Sequence, residues 1–193
     1  MKKIFLGFFF AFIIILLFPF SSYADDFSTF ADSNTGSGAP KYPGTSTTVQ
    51  VGDIIGTKMF SGWDTYYVGH VGIVGPDYKV YDVVKWSDVT QVSSISNFLD
   101  RFNNNTVGVY RPNTSSGNRF LAGTWAKNNL NKVKSYSITS ATHKIDVNYC
   151  SKFVFQSYYF GAKYKFGLGD NNQTYVSPTY IIDSSKFIVN AKL

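Results

Sequence analysis

Apolar and polar residues alternate most regularly near the middle of the chain. Residues 69–74 read GHVGIV and residues 79–84 read KVYDVV, and both segments are rich in β-branched side chains, as half-buried strands are. The turn sequence GPD at residues 75–77 lies between them, so the pattern predicts a β-hairpin. A further strand is predicted over residues 106–110, and the apolar spacing within residues 95–102 predicts a short helix.

The C-terminal half of the chain combines helical periodicity with one more strand. A helix is predicted over residues 120–131, ending in an Asn-rich stretch. Asn148 is placed to cap a second helix over residues 149–159, whose apolar positions share one face with Cys150. Residues 187–189 predict a final strand. The fold class expected from these elements is α+β.

The N-terminal segment has the pattern of a secretory signal peptide. Two lysines precede an unbroken apolar run over residues 4–20, and the sequence SYA follows at residues 22–24. This arrangement predicts cleavage after Ala24, although a run of roughly 17 apolar residues is also at the lower limit for a membrane anchor. We expect a signal peptide at residues 1–24, a secreted or extracytoplasmic protein, and no stable membrane insertion after cleavage.

The segment after the predicted cleavage site is polar. Residues 25–48 consist mainly of Ser, Thr, Gly, Asn, Asp and Pro with few branched apolar side chains, so burial there cannot offset the entropy of ordering the chain. We therefore predict a flexible leader at residues 25–48 and one folded domain at residues 49–193, acting as a monomer.

Composition narrows the chemistry that this domain can perform. Removing the two signal-peptide lysines from the 18 basic residues leaves a net charge of +4 against 12 acidic residues, all of them Asp. This mild charge supports contact with an anionic envelope only weakly, and we expect no nucleic-acid partner. One cysteine cannot form an internal disulfide, so Cys150 is buried and inert, paired with another chain, or a reactive thiol.

Cys150 and His70 form the candidate pair for nucleophilic catalysis. A helix start places unpaired backbone N–H groups and the positive end of the helix dipole beside Cys150, which favours a thiolate and an oxyanion. Of the two histidines, His70 lies on a predicted strand, and its glycine neighbours leave room for a helix end or a substrate to approach. His143 is expected to be a solvated loop residue, and Lys152 a solvated lysine.

Asp82 is the candidate for orienting the imidazole. His70 and Asp82 share a face of the predicted hairpin only if the connection holds an odd number of residues. An even connection would bring Tyr81 and Val83 beside His70 instead. The alternative role for Asp82 is that of an exposed strand residue or a structural hydrogen-bond acceptor. Two histidines and one cysteine lie far apart without ligand spacing, so we expect neither a metal nor a cofactor.

Several short motifs occur along the chain in one order. They are GDII at residues 52–55, GHVGIV at 69–74, YDVV at 81–84, FLDRF at 98–102, VYRP at 109–112, YCSKFVFQSY at 149–158 and SPTY at 177–180. This order resembles the YiiX/YaeF-like permuted papain-like amidases of the NlpC superfamily. The resemblance implies a circularly permuted papain-like (NlpC-type) fold with an antiparallel sheet packed against helices.

The resemblance also implies a role for each candidate residue. Cys150 takes the place of the nucleophile, His70 that of the base, and Asp82 that of the polar residue on the next strand, where the family often has Glu or His. Tyr136 falls near an aromatic position by the oxyanion site of related enzymes. Tyr136 and Tyr149 are therefore the candidates for oxyanion or substrate binding.

The leading interpretation is a secreted cysteine amidohydrolase or peptidase that cleaves amide bonds through a thioester on Cys150. The expected partner is a peptide or acyl-amide substrate, with cell-wall peptides as the default. Two alternatives remain open. One is a non-catalytic module that binds the cell envelope through its many tyrosines, and the other is a thioester-linked acyltransferase that acts on a lipid or an amine.

Overall fold

A computed structural model of the chain describes residues 38–58, 69–85, 88–102, 106–168 and 174–192. The predicted signal peptide and most of the predicted leader lie outside the described residues. Within the described ranges, no helix is long and apolar enough to cross a membrane.

The central element is a six-stranded antiparallel sheet. Its strands are β1 (Ile54–Thr57), β2 (His70–Val74), β3 (Val80–Val83), β4 (Thr90–Ser93), β5 (Val107–Pro112) and a last strand, Ser185–Ala191, which is β8 after two short strands. The spatial order is β4-β3-β2-β1-β5-β8, and every neighbouring pair is antiparallel. The short strands β6 (Ser135–Tyr136) and β7 (Val147–Asn148) pair in parallel outside this sheet.

In the described part of the chain, four α-helices accompany the sheet: α1 (Ile95–Asp100), α2 (Ser116–Asn129), α3 (Cys150–Ala162) and α4 (Pro178–Asp183). Serine side chains begin three of them, because Ser94, Ser115 and Ser177 each accept a backbone N–H from the first turn. Helix α3 ends at Lys163, which adopts the left-handed conformation at φ 57°. Helix α1 begins at the predicted residue, α2 begins four residues before its predicted start, and α4 lies where the sequence predicted only a turn.

Hydrophobic residues form two clusters that share the strands of this sheet. One cluster joins Val71 and Ile73 of β2 to α2, α3 and α4, and the other joins Val74 and residues of β1 and β5 to α1. Because neighbouring residues of a strand point to opposite faces, β2 contributes to both clusters. The α+β class expected from the sequence is confirmed.

The register of the β2–β3 hairpin brings His70 and Asp82 onto one face. Val74 pairs with Val80 and Ile73 with Tyr81, so residues 75–79 form a connection with an odd number of residues. A Cβ atom added at Gly72 would lie 3.1 Å from Cβ of Asp82. The glycine therefore leaves space for the Asp82 side chain beside His70, as the odd-loop alternative requires.

The folded domain begins before the predicted boundary at Val49. Tyr42 is 1% exposed, and its hydroxyl donates to Oδ2 of Asp53 at 2.9 Å. Lys41 and Thr48 form an isolated antiparallel bridge. The end of the predicted leader is thus part of the second hydrophobic cluster, because one aromatic side chain in a polar stretch reaches a buried carboxylate.

The prediction that Asn148 caps α3 is wrong. The N-cap is Tyr149, which makes no side-chain capping bond. Asn148 instead accepts the Tyr149 N–H at 3.0 Å and donates to Oε1 of Gln156 at 2.6 Å. Its amide is therefore committed to a buried network, although Cys150 is still the first residue of the helix.

Candidate active site

The thiol of Cys150 lies at the N-terminus of α3. The first intrahelical bond there runs from the Phe153 N–H to the Tyr149 carbonyl, so the N–H groups of residues 150–152 have no acceptor within the helix. Cys150 is 5% exposed. A negative charge on this sulfur, or on a carbonyl oxygen bonded to it, lies in the favourable field of the helix end.

His70 connects Cys150 to Asp82. Its Nε2 lies 2.8 Å from Oδ2 of Asp82, and because an ionised carboxylate only accepts hydrogen bonds, Nε2 carries the proton. The hydrogen bond between His70 and Cys150 is therefore left to Nδ1. In this tautomer the neutral imidazole presents an acceptor to the thiol, which is the arrangement a general base needs.

The two groups stabilise each other's charged forms. Burial lowers the pKa of His70, but the charge of Cys150 and the hydrogen bond with Asp82 outweigh burial and raise this pKa to about 9. Burial raises the pKa of the Cys150 thiol, but the charge of His70 and hydrogen bonds from His70 and from Val71 lower it below its ordinary value. The site therefore favours a thiolate–imidazolium pair near neutral pH.

Asp82 is held on its far side by Arg101, the residue after α1. Nη1 of Arg101 lies 3.1 Å from Oδ2 of Asp82, and Nη2 lies 3.0 Å from Oδ1. The motif FLDRF supplies this arginine together with Phe98 and Phe102, whose rings lie 6.0 and 5.4 Å from the His70 ring. The sequence singled out the motif but missed the role of Arg101, because that role depends on how α1 folds back onto β3.

A cavity of about 200 Å³ opens onto Cys150 and His70. Most of its wall is apolar or aromatic, and the residues away from Cys150 and His70 include Tyr136, Ile138, Tyr149, Tyr175, Val176 and Pro178. Ile138 and Tyr175 are 56% and 65% exposed. Such a cavity suits an apolar chain ending in a polar carbonyl.

Tyr136 and Tyr149 both line this cavity. Burial and the charge of Cys150 raise the pKa of Tyr136, so its phenol is a neutral donor close to the sulfur. The hydroxyl of Tyr149 accepts the Val176 N–H at 3.0 Å. Tyr136 therefore lies on the same cavity wall as Cys150, and Tyr149 holds the wall segment that carries Val176.

Residues 3–193 match the family described as lipoprotein N-acylation protein LnsA-like. The chain belongs to this LnsA-like family. No curated protein sequence matches it. The relationship covers nearly the whole chain and agrees with a papain-like cysteine enzyme.

A solved structure supports the fold of this LnsA-like protein. The chain is similar to the crystal structure of the metalloprotein YiiX from Escherichia coli O157:H7, with a TM-score of 0.54 and 18% sequence identity over 75% of this chain and 98% of that chain. The YiiX-like resemblance predicted from the ordered motifs is confirmed by this match.

YiiX is described as a metalloprotein, but the donor set of this LnsA-like protein does not fit a metal. Within the described ranges, no group of three or more His, Cys, Asp or Glu side chains could hold one. Asp82 already gives both oxygens to Arg101 and one of them to His70. No step of the chemistry below passes through a metal.

A buried polar network holds the segment between β6 and β7, which carries Ile138 to the cavity. Lys152 Nζ donates to the carbonyl of Val147 at 2.7 Å, and Gln156 Nε2 donates to the carbonyls of Thr142 at 2.6 Å and Lys144 at 2.8 Å. Lys152 is 0% exposed, so the expectation of a solvated lysine is wrong. Burial lowers its pKa to about 8.

The remaining sequence predictions around the site have separate outcomes. His143 is exposed and lies against the ring of Tyr159 at 5.3 Å, away from the cavity lining, as expected for a loop residue. A Cβ atom at Gly69 would lie 2.1 Å from the Thr57 carbonyl, and its φ is +66°. The backbone of β1 therefore occupies the place of a side chain at Gly69, where the sequence suggested room for a helix end or a substrate.

Proposed function

We propose that this protein is a cysteine acyltransferase that moves an acyl group from an ester donor to an amine through a thioester on Cys150. The observation that carries the proposal is the chain Cys150–His70–Asp82 at the floor of an apolar cavity. Membership of the lipoprotein N-acylation family supports an amine of a lipoprotein as the acceptor.

The first half-reaction forms the thioester. The Cys150 thiolate attacks the carbonyl carbon of the ester, and a C–S bond forms. The oxyanion lies at the helix end, with the Tyr136 phenol as a further donor. As the C–O bond breaks, the His70 imidazolium gives its proton to the departing alcohol oxygen.

The second half-reaction forms the amide. The acceptor amine attacks the thioester carbonyl while neutral His70 takes a proton from the nitrogen. The C–S bond then breaks and returns the thiolate, which pairs again with the imidazolium. Asp82 accepts the Nε2–H throughout, so the same imidazole nitrogen faces the reacting atoms in both halves.

The cavity favours acyl transfer over the amide hydrolysis inferred first from the sequence. Its volume of about 200 Å³ is below the roughly 300–1,000 Å³ of pockets that enclose a drug-sized ligand. It therefore holds the carbonyl end of an acyl chain, with the rest of the lipid outside. An apolar wall beside the thioester also disfavours water, the competing acceptor in hydrolysis.

The predicted signal peptide and the family description together support an extracytoplasmic site of action. The substrates proposed here are lipid-derived and lipoprotein-derived, in place of the cell-wall peptide first expected. We propose that the protein acts there as a monomer, without a cofactor or nucleic acid.

Intact-protein mass spectrometry tests this proposal. The full-length protein in detergent is incubated with a nitrophenyl ester of a medium-chain fatty acid, and then with a synthetic lipopeptide that has a free N-terminal amine. We expect a mass gain of one acyl group, removable by hydroxylamine, and then its appearance as an amide on the lipopeptide.

Two variants serve as controls, and the products distinguish acyl transfer from hydrolysis. Cys150→Ala is expected to form no adduct, and His143→Asn, on the exposed histidine, to behave as the wild type. Release of fatty acid alone at saturating amine would replace acyl transfer by hydrolysis. An adduct that persists in Cys150→Ala would remove both reactions.

A further inference from the structure

We propose that Arg101 is a positioning residue for His70, acting through the Asp82 carboxylate that the two side chains share. The inference rests on the proposed function in that it assigns Arg101 a part in the same acid–base unit. None of the roles predicted from the sequence includes this residue.

The hydrogen bonds of Asp82 define the geometry. Oδ2 accepts hydrogen bonds from His70 Nε2 at 2.8 Å and from Arg101 Nη1 at 3.1 Å, while Oδ1 accepts one from Arg101 Nη2 at 3.0 Å. The guanidinium is planar, so two parallel bonds fix the plane and the rotation of the carboxylate. With the carboxylate fixed, the direction of the Asp82–His70 bond, and hence of the imidazole, is fixed as well.

Packing makes the arrangement rigid. The guanidinium carbon of Arg101 lies 4.9 Å from the centre of the Phe98 ring and 5.8 Å from that of Phe102. The His70 ring lies against the same two phenylalanines, stacked on Phe102 with an interplanar angle of 24°. The two cationic side chains thus share two aromatic neighbours and one carboxylate, so movement of Arg101 is transmitted to His70 through both.

The charge of Arg101 also acts on His70. The titratable and charged groups that contact His70 directly are Cys150 from α3 and Asp82 from β3, with Arg101 behind Asp82. Arg101 is positive and therefore opposes the imidazolium, while Asp82 favours it. Removing Arg101 leaves the carboxylate unopposed and raises the pKa of His70, and removing the charge of Asp82 lowers it.

A purely structural role is the alternative, and the molecule contains a matched example of one. Arg111 binds the buried carboxylate of Asp53 with two hydrogen bonds of 2.7 and 2.8 Å. Neither Arg111 nor Asp53 lines the cavity. Arg111→Met therefore removes the same kind of ion pair without touching the acid–base unit.

Proton NMR titration of the imidazole tests the proposal without any substrate. The chain has two histidines, and a His143→Gln background leaves only the signal of His70. We expect Arg101→Met to raise the pKa of His70 by about one unit, Asp82→Asn to lower it, and Arg111→Met to leave it unchanged. Because no substrate is present, this result stands apart from the failure or success of acyl transfer.

Acylation kinetics supply the second measurement. Arg101→Lys keeps the charge but loses the two-point grip, so we expect a wild-type His70 pKa with about tenfold slower formation of the Cys150 adduct. Arg101 is structural, and the proposal is overturned, if three results occur together. Arg101→Met lowers the melting temperature as Arg111→Met does, the His70 pKa of Arg101→Met equals that of the wild type, and Arg101→Lys forms the Cys150 adduct at the wild-type rate. Should Arg101→Met fail to fold, the adduct rate of Arg101→Lys alone decides: about tenfold slowing supports the proposal and a wild-type rate overturns it.

Discussion

Asp53 and Asp82 are two buried carboxylates in nearly the same setting with different consequences. Both are 0% exposed, and each is bound by an arginine through two hydrogen bonds. The remaining acceptor sites of Asp53 are filled by the Tyr42 hydroxyl at 2.9 Å and the Gln50 N–H at 3.1 Å. The corresponding partner of Asp82 is His70 at 2.8 Å.

The third partner therefore decides what a buried Asp–Arg pair does. Tyr42 closes the hydrogen-bond network of Asp53, so that pair ties the first described residues to the sheet. His70 extends the network of Asp82, because an imidazole has a second nitrogen that reaches Cys150 and the cavity. The Asp53–Arg111 pair therefore stabilises the fold, whereas the Asp82–Arg101 pair supports an acid–base group.

Exchanging the third partners gives the largest expected difference. His70→Asn removes the base, and we expect acyl transfer to fall by on the order of 10³-fold. Tyr42→Phe removes only a hydrogen bond to Asp53 and should cost about 1 kcal/mol of unfolding free energy with unchanged turnover. Turnover and chemical denaturation are measured for both variants. If both lose turnover to a comparable extent, the two carboxylates do not differ in function.

Changing the carboxylates themselves gives the next largest effect. Asp82→Asn presents an amide that no longer selects the tautomer with Nε2 protonated. Because His70 then works less well as acid and base, turnover should fall by about 10²-fold. Asp53→Asn leaves Arg111 without its counter-ion and should destabilise the protein by about 3 kcal/mol, with turnover per folded molecule unchanged. Rates normalised to the folded fraction separate the two; equal normalised rates would remove Asp82 from the site.

A smaller effect is expected at the cavity wall. Tyr149→Phe removes the acceptor of the Val176 N–H and should cost about 1 kcal/mol of unfolding free energy. The Ser151 hydroxyl still donates to the Val176 carbonyl, so one of the two side-chain hydrogen bonds to the Val176 backbone is kept. We expect at most a modest rise in the acyl-donor KM, and a loss of kcat as large as that of Asp82→Asn would instead place Tyr149 in the chemistry.

Much of the site could be predicted because it depends on local patterns. The pattern of residues 69–84 predicts two strands joined by a turn, so the face on which Asp82 lies depends only on whether the connection has an odd or an even number of residues. The connection has five residues, which places Asp82 on the same face as His70. Helical periodicity, with Asn148 as the expected cap, predicts Cys150 in the first turn of a helix, and the helix does begin at Cys150 although the cap is Tyr149. The order of the motifs supplied the fold, and the family match confirms it.

The parts that could not be predicted depend on distant contacts. Asn148 reads as a cap, but its amide is captured by Gln156, which is eight residues further along the chain. Lys152 reads as a solvated side chain until the segment between β6 and β7 folds over it. Tyr42 contacts Asp53, and Arg101 contacts Asp82, only in the folded protein. No residue spacing in the sequence predicts either contact.

The pH dependence of Cys150 alkylation tests the thiolate–imidazolium pair most directly. The chain has one cysteine, so the rate with iodoacetamide reports its thiolate alone. The pKa of the thiol is lowered and that of His70 is raised to about 9. The paired form therefore appears as the pH rises through the lowered thiol pKa and is lost above about pH 9.

We expect the wild type and His143→Asn to be alkylated rapidly at pH 7, with the rate falling only at distinctly lower pH. In His70→Asn, burial acts on the thiol without an opposing charge, so alkylation should become fast only at or above the ordinary thiol pKa of about 8.5. A wild-type rate that rises only at that higher pH, superimposed on the His70→Asn curve, would contradict the pairing of Cys150 with His70.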